Sequence, residues 1–440
     1  MLRGELAPDT IAAIATPPGR GGIGVVRVSG PGVARIAASL LGGLPEARRA
    51  RFGPIRDRHG ELLDEGLAIY FAAPHSYTGE DVLELHGHGG PVVMGTLLGA
   101  ALDAGARLAE PGEFTRRAFL NGRLDLAQAE GVADLIDAAS REAARSALRS
   151  LEGEFSAAVR VLVAQLTDLR ALTEATLDFP EEELDALQHE DARERLGRLR
   201  AALEALIASS RQGSLLRAGV HAAIVGQPNV GKSSLLNRLA GEERAIVTAL
   251  PGTTRDALRE TIAINGVPVT LVDTAGLRET SDEIERLGVQ RARREAERAD
   301  LVLVVLEAGC MQEPPGPPPP ARRITVVNKI DLVPGEKARR NGATVHVSAK
   351  TGAGLDLLRD AILEAAGWQA RGETVFLARE RHLRALASAR AHLEAAAQHT
   401  GWELLAEELR LAQDALGRIT GLVSADDLLG EIFARFCIGK

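Results

Sequence analysis

The stretch GQPNVGKSS, residues 226–234, lies between an apolar β-branched run and an apolar helical one. It fits G-x-x-x-x-G-K-[ST], with Gly226, Gly231, Lys232 and Ser233 in the fixed places and Asn229, Val230 and Ser234 beside them. No other feature constrains the fold as much. The glycines let the backbone curl so that its N–H groups face phosphate oxygens, where a strand feeds the N-terminus of a helix. The chain must therefore hold a sheet with helices on its faces and this turn at one strand's C-terminal end. Lys232 suits the β- and γ-phosphates of a nucleotide, and the Ser233 hydroxyl suits Mg2+.

Further runs extend that sheet: HAAIVG (221–226), VPVTLVDT (267–274), LVLVVLE (301–307), ITVVNK (324–329) and TVHVSA (344–349). Their Val- and Ile-rich character predicts strands covered on both faces. Three of them end in groups that complete a nucleotide site. Asp273, Thr274, Ala275 and Gly276 form a turn that senses the terminal phosphate, with Asp273 near the Mg2+ shell. Asn328, Lys329 and Asp331 follow: Asp331 accepts guanine N1–H and N2–H, Asn328 bonds another edge of the base, and the Lys329 stem lies on the ring. Ser348, Ala349 and Lys350 come last, with the Ala349 N–H suited to guanine O6. Adenine lacks the donors that Asp331 needs, so the expected ligand is GTP.

DTAGLRETSDEIE (273–285) places Leu277 where Ras-like GTPases hold the glutamine that orients water. TALPGTTRD (248–256) resembles the switch segment of a GTPase class that has an apolar residue there and uses potassium. That likeness implies a loop of Thr248, Ala249, Leu250, Pro251, Gly252, Thr253 and Thr254 around the nucleotide. Thr254 would complete the Mg2+ shell with Ser233. Asn229, Thr248, Leu250 and Thr253 would hold K+, offsetting charge that develops in the transition state. Glu285 is the candidate to orient water, with Glu279, Asp282 and Glu283 as solvated alternatives.

Around the sheet the texture changes. Residues 1–122 carry glycines and short β-prone runs, an α+β pattern; 123–214 show helical periodicity; 215–370 hold the sheet; 371–440 return to helix. The expected fold is multidomain α/β, with the α/β unit inserted into an all-α domain. Pro180 interrupts the helical stretch, and EPPGPPPPARR (313–323) reads as a stiff exposed loop. In SADDLLGEIFARFCIGK (424–440), Ser424 and Asp427 form a capping-box-like start. Leu428, Leu429, Ile432 and Phe436 fall on one side of that helix, so it should dock. The two cysteines, Cys310 and Cys437, exclude a disulfide framework and fit a reducing cytosol. No membrane span or signal peptide is expected. A net charge of −8 argues against bulk attraction to nucleic acid but leaves room for a local basic patch. His86 and His88 in HGHGG read as part of a glycine-rich turn more readily than as metal ligands.

DTIAAIATPPGRGGIGVVRVSG (9–30), SYTGEDVLELHGHGG (76–90), EPGEFTRRAFLNGRLDLAQAEGVADLIDA (110–138) and FCIGK (436–440) together resemble the tRNA modification GTPase family known as MnmE or TrmE, over essentially the whole length. The resemblance implies a folate-binding-like N-terminal domain and a cytoplasmic homodimer that works with a flavoprotein, MnmG (GidA). The pair would add an aminomethyl or carboxymethylaminomethyl group to C5 of the wobble uridine of certain tRNAs. A tetrahydrofolate derivative would carry the one-carbon unit, held by Arg27, Glu84, Arg123 and Lys440; the family commonly has lysine at the position of Arg123. Cys437 would be needed for modification. Two other readings compete: a ribosome-assembly or signalling GTPase, and a folate-dependent transferase with a regulatory GTPase attached.

Overall fold

The computed structural model describes residues 9–178, 185–242, 259–273, 297–310, 322–369, 375–399, 401–422, 426–434, 436 and 439. The chain divides into two compact units, Met1–Ala133 with Gly417–Lys440, and Asp134–Leu416.

In the first unit six strands form one sheet: β1 (Ile11–Ile14), β2 (Gly24–Ser29), β3 (Ala50–Arg56), β4 (Leu62–Phe71), β5 (Val82–Gly87) and β6 (Arg107–Leu108), in the order β3-β4-β5-β2-β1-β6. Helices Val33–Leu41 and Pro91–Asp103 cover one face, where Val26, Val28, Ile36, Leu40, Leu85 and Leu97 are buried. On the other face Ile11 and Ala13 pack with Phe114 and Tyr77. Phe114 belongs to helix Glu113–Leu120, whose Arg117 is 1% exposed. Arg117 pairs with Asp9 (2.7 Å), Glu113 (2.9 Å) and Glu80 (3.2 Å). Helix Asp426–Phe433 docks as its apolar side requires: Leu429, Ile432, Phe433 and Phe436 pack on Leu126 and Ala129. Ser424 lies outside the described residues, as does the Leu428 side chain.

The second unit holds β7 (Val220–Gly226), β8 (Arg259–Ile264), β9 (Val267–Asp273), β10 (Leu301–Glu307), β11 (Arg322–Asn328), β12 (Arg339–Asn341) and β13 (Thr344–His346), in the order β12-β13-β11-β10-β7-β9-β8. The five inner strands are parallel; β8 and β12 pair antiparallel at the edges. β10 is buried along nearly its whole length, which is why its sequence is an unbroken apolar run. Arg322 and Arg323, expected in the proline-rich loop, open β11, where they pair with Leu301 and Val302. β8 turns into β9 through Asn265 (φ 48) and Gly266 (φ 82), the left-handed pair that a two-residue hairpin demands.

Helices Glu154–Asp178 and Asp185–Ala218 precede the sheet in sequence, and Glu380–Ala396 and Trp402–Thr420 follow it. The chain re-enters the helical layer at Phe376, which packs on Phe155 at 5.6 Å between ring centroids. One buried carboxylate oxygen of Asp134 accepts from Arg217 and from Arg379, both at 2.8 Å. Those arginines mark the two crossings between the helices and the sheet.

Candidate functional site

The strand ends on the sheet's C-terminal side build the candidate nucleotide site. β7 stops at Gly226, where the Val305 carbonyl leaves no room for a Cβ. The chain then reverses through Asn229 (φ 64) and Gly231 (φ 92) into helix Lys232–Glu242. Val230 is buried and anchors the loop, while Asn229, Ser233 and Ser234 are exposed. Lys232 is 5% exposed, and its Nζ donates to the carbonyls of Gly226 (2.9 Å) and Gln227 (2.7 Å). The ammonium therefore arches over the loop whose N–H groups would meet phosphate. Asn229 and Ser233 offer oxygen donors at that loop, which suits hard cations such as Mg2+ and K+.

β11 delivers Asn328, which is 1% exposed. Its Nδ2 donates to the Val230 carbonyl, and its Oδ1 accepts from the Ala349 N–H, both at 2.9 Å. Sequence reasoning assigned Asn328 and the Ala349 N–H to the base edge. In the structure they bond each other, and the amide ties the phosphate loop to the 348–350 loop. Asp331 is exposed in the short 3-10 turn Ile330–Leu332. Its Oδ1 accepts from the buried Ser348 hydroxyl at 2.5 Å, which orients the carboxylate. Lys329 is left-handed (φ 64), and its Nζ lies 3.1 Å from Glu307. Neither Ser348's hydroxyl on Asp331 nor Glu307's carboxylate on Lys329 was foreseen. Both contacts join strand ends distant in sequence.

Asp331→Asn should weaken GTP binding by about 2–3 kcal/mol, the loss of two charge-assisted bonds. It should also favour xanthosine triphosphate, whose 2-oxo group accepts from the new amide. Titration calorimetry with both nucleotides checks this; unchanged GTP affinity would remove the guanine assignment.

Asp273 closes β9, and its side chain is not among those described. Thr248, Ala249, Leu250, Pro251, Gly252, Thr253, Thr254, Thr274, Ala275, Gly276, Leu277 and Glu285 lie outside the described residues.

A second cluster sits on the first unit's sheet. Arg27 on β2 faces Glu84 on β5 across an antiparallel pair. Glu84 Oε1 accepts from Arg27 Nε (2.9 Å) and Nη2 (2.8 Å), and Oε2 lies 3.3 Å from His86 Nε2. The Arg27 guanidinium stands 5.4 Å over the Tyr77 ring, and its Nη1 donates to the Gly439 carbonyl at 3.2 Å. Burial raises the Tyr77 hydroxyl pKa, against the opposing effects of Thr115 and Arg27. Arg123 is exposed, with its stem beside Gly79. His88 bonds Asp64, so the two histidines of HGHGG serve different carboxylates. Lys440 and Cys437 lie outside the described residues. A cavity of about 490 Å³ at the end of the same sheet is lined by Ile14, Thr16, Arg20, Ile23 and Met94, and by none of Arg27, Glu84 and Arg123.

Residues 10–123 match the family described as GTP-binding protein TrmE N-terminus, and residues 126–437 match the MnmE helical domain. The chain is 60% identical over 444 residues to the tRNA modification GTPase MnmE of Azoarcus sp. (strain BH72), with 98% of each chain covered. It is also 60% identical over 439 residues to the tRNA modification GTPase MnmE of Thiobacillus denitrificans, again covering 98% of each. The protein of that name in Aromatoleum aromaticum is 57% identical over 443 residues, at the same coverage.

Proposed function

The chain belongs to the MnmE (TrmE) family of tRNA modification GTPases, and from that premise we propose that its GTP hydrolysis serves wobble-uridine modification in the cytoplasm. It would act as a homodimer with the flavoprotein MnmG (GidA), adding an aminomethyl or carboxymethylaminomethyl group to uridine C5 of certain tRNAs. The observation that carries this reading is the coexistence, in one chain of this family, of the Asn328-tied nucleotide loops and the Arg27–Glu84 cluster. Among the described residues no helix is long and apolar enough to cross a membrane.

Ser233 and Thr254 would hold Mg2+, and Asn229, Thr248, Leu250 and Thr253 would hold K+. Together the cations supply charge stabilisation to the triphosphate. Lys232 binds the β- and γ-phosphates, Asp331 selects guanine, and Glu285 orients water in place of the glutamine that Leu277 replaces. Arg27, Glu84, Arg123 and Lys440 would hold the tetrahydrofolate derivative. The chemistry of this set fits: a carboxylate accepts pterin N–H groups, and cations meet a glutamate tail. Glu84 Oε1 takes both Arg27 bonds and Oε2 meets only His86, at 3.3 Å, so a ligand would share Oε2 with that ring.

The test is nucleoside mass spectrometry of tRNA from a deletion strain with and without this chain restored. Absence of any change at the wobble uridine would favour a switch GTPase without modification chemistry. Hydrolysis itself should be stimulated by K+ but not by Na+. Glu285→Ala should lower kcat by about 10²-fold with little change in GTP affinity. Equal rates in the two salts would remove the cation; a large affinity loss would move Glu285 from catalysis to binding.

A further inference from the structure

Although acids outnumber bases in this chain by 60 to 52, residues 46–58 reverse the balance, with five arginines against two carboxylates. The structure puts this segment on the sheet's edge strand, β3, and its two flanks. Arg48, Arg49, Arg51, Arg56 and Arg58 are all exposed. Only Arg49 has a carboxylate partner among the described residues, Glu46 at 3.1 Å. The others are held by uncharged groups. Arg48 donates to the His75 carbonyl (2.8 Å), Arg51 to that of Leu41 (3.0 Å), Arg56 to that of Gly60 (2.9 Å), and Arg58 to the His59 ring (3.1 Å). These bonds orient the guanidinium groups without neutralising them. The second acid, Asp57, accepts the N–H groups of His59 and Glu61 and closes the turn after β3.

Between these arginines Phe52 is 70% exposed, beside Leu67 on β4. An exposed aromatic ring set among unneutralised arginines is the combination that binds a nucleic-acid strand: cations meet phosphates and the ring stacks on a base. Edge protection against strand pairing would explain one or two charges of either sign, and Pro54 already serves that end. It does not explain an excess of five arginines over two carboxylates in a chain that is acidic as a whole. Arginine's planar fork suits phosphate oxygens better than the point charge of lysine. A second copy of the chain is a poor occupant, because pairing edge to edge would bring like charges together.

We propose that β3 and its flanks are the surface on which this unit docks tRNA, with Arg48, Arg51, Arg56 and Arg58 on phosphates and Phe52 stacked on a base. The seven residues of β3 span about 20 Å at roughly 3.3 Å per residue, room for several phosphates. This assignment rests on the tRNA modification reading above. It supplies a local surface through which a net-acidic chain meets a polyanion.

The experiment measures binding of an unmodified tRNA transcript to the full chain by fluorescence anisotropy across a salt series. Three variants are compared with the wild type: the four arginines changed together to glutamine, the same four changed to lysine, and Phe52→Ala. The glutamine variant should bind at least about tenfold more weakly near 0.1 M salt, and its log–log salt slope should shrink by about 3. The lysine variant should keep the slope, which separates lost charge from lost folding. Phe52→Ala should bind about tenfold more weakly with the slope unchanged. GTP hydrolysis should stay at the wild-type rate in all three. A glutamine variant with wild-type affinity and slope overturns the surface. So does one that loses binding only to anionic vesicles, or one whose sedimentation shows a lost dimer. Wobble-uridine analysis in the complemented deletion strain separates the two levels. Modification restored by the wild type with tRNA binding unaltered in the glutamine variant sinks this surface alone; no modification even with the wild type sinks the reading beneath it.

Discussion

Replacing Arg117 with leucine should destabilise the N-terminal unit by about 3–5 kcal/mol, the usual effect of removing one member of a buried charge cluster. The guanidinium is buried and meets Asp9, Glu80 and Glu113. Glu113 is itself nearly buried and also takes two bonds from Arg107. Without Arg117 these carboxylates face one another in a poorly solvated place. Changing Glu113 to leucine as well should recover part of the loss, because it removes one of the stranded charges. The pH dependence has a definite sign. Burial pushes the Glu113 pKa up, but hydrogen bonds from Arg107, the Glu110 N–H and Arg117 outweigh it and hold the group at about 2. A carboxylate lowered on folding stabilises fully above its unfolded value, near 4.5, and loses that contribution as pH falls towards 2. Arg117→Leu should therefore move the acid unfolding of this unit to higher pH. Hydrogen exchange in β1 and β2 across that range checks it; unchanged protection in the variant would show that Arg107 alone sustains the cluster.

Cys437→Ser should reduce tRNA modification to background while leaving GTP hydrolysis and dimerisation intact. Gly439 is held in one place near the chain's last residues. Its φ of 97 is left-handed, and the Ile14 carbonyl and Ala15 leave no room for a Cβ. Its own carbonyl accepts from Arg27. Gly439 is thus fixed against β1, beside the Arg27–Glu84 pair. Cys437 stands two residues earlier in the sequence. The thiolate is the nucleophilic form of cysteine, which is the chemistry such a residue would supply. Gly439→Ala gives a second handle: it should displace the tail, weaken folate binding and reduce modification with the thiol untouched. Normal modification by Cys437→Ser would return the residue to the role of a small packing side chain.

The turn after β7 and its following helix were legible because G-x-x-x-x-G-K-[ST] leaves few backbone paths from a strand into a helix. The inner strands were legible because burial on both faces demands unbroken apolar runs, as in LVLVVLE. β3 was not: only Ile55 of ARFGPIR is buried, so the segment has no apolar alternation to notice. β8 carried the Asn265–Gly266 hairpin signal, yet half of RETIAI is polar, so it lacks the unbroken apolar run of the inner strands. The Arg117 cluster was invisible for another reason. Asp9 and Glu80 lie far away in sequence, and a charged pair within EFTRR reads as a solvated helix face. The bonds that Asn328 makes to Val230 and Ala349 were not legible, because a buried amide takes partners from loops distant in sequence.

Asp134 carries a consequence for engineering. Its Oδ1 holds both Arg217, just before β7, and Arg379, after the chain has left the sheet region. The ends of the intervening segment are therefore pinned to one point, as the two ends of a loop are pinned by a knot. A segment cut out between those arginines would start and finish within a few side-chain lengths, so a short linker could join its ends and new termini could be opened elsewhere. The helices left behind could be closed by an equally short bridge. Exchange of the nucleotide-binding segment between relatives would then need two splice points and no redesign of either body.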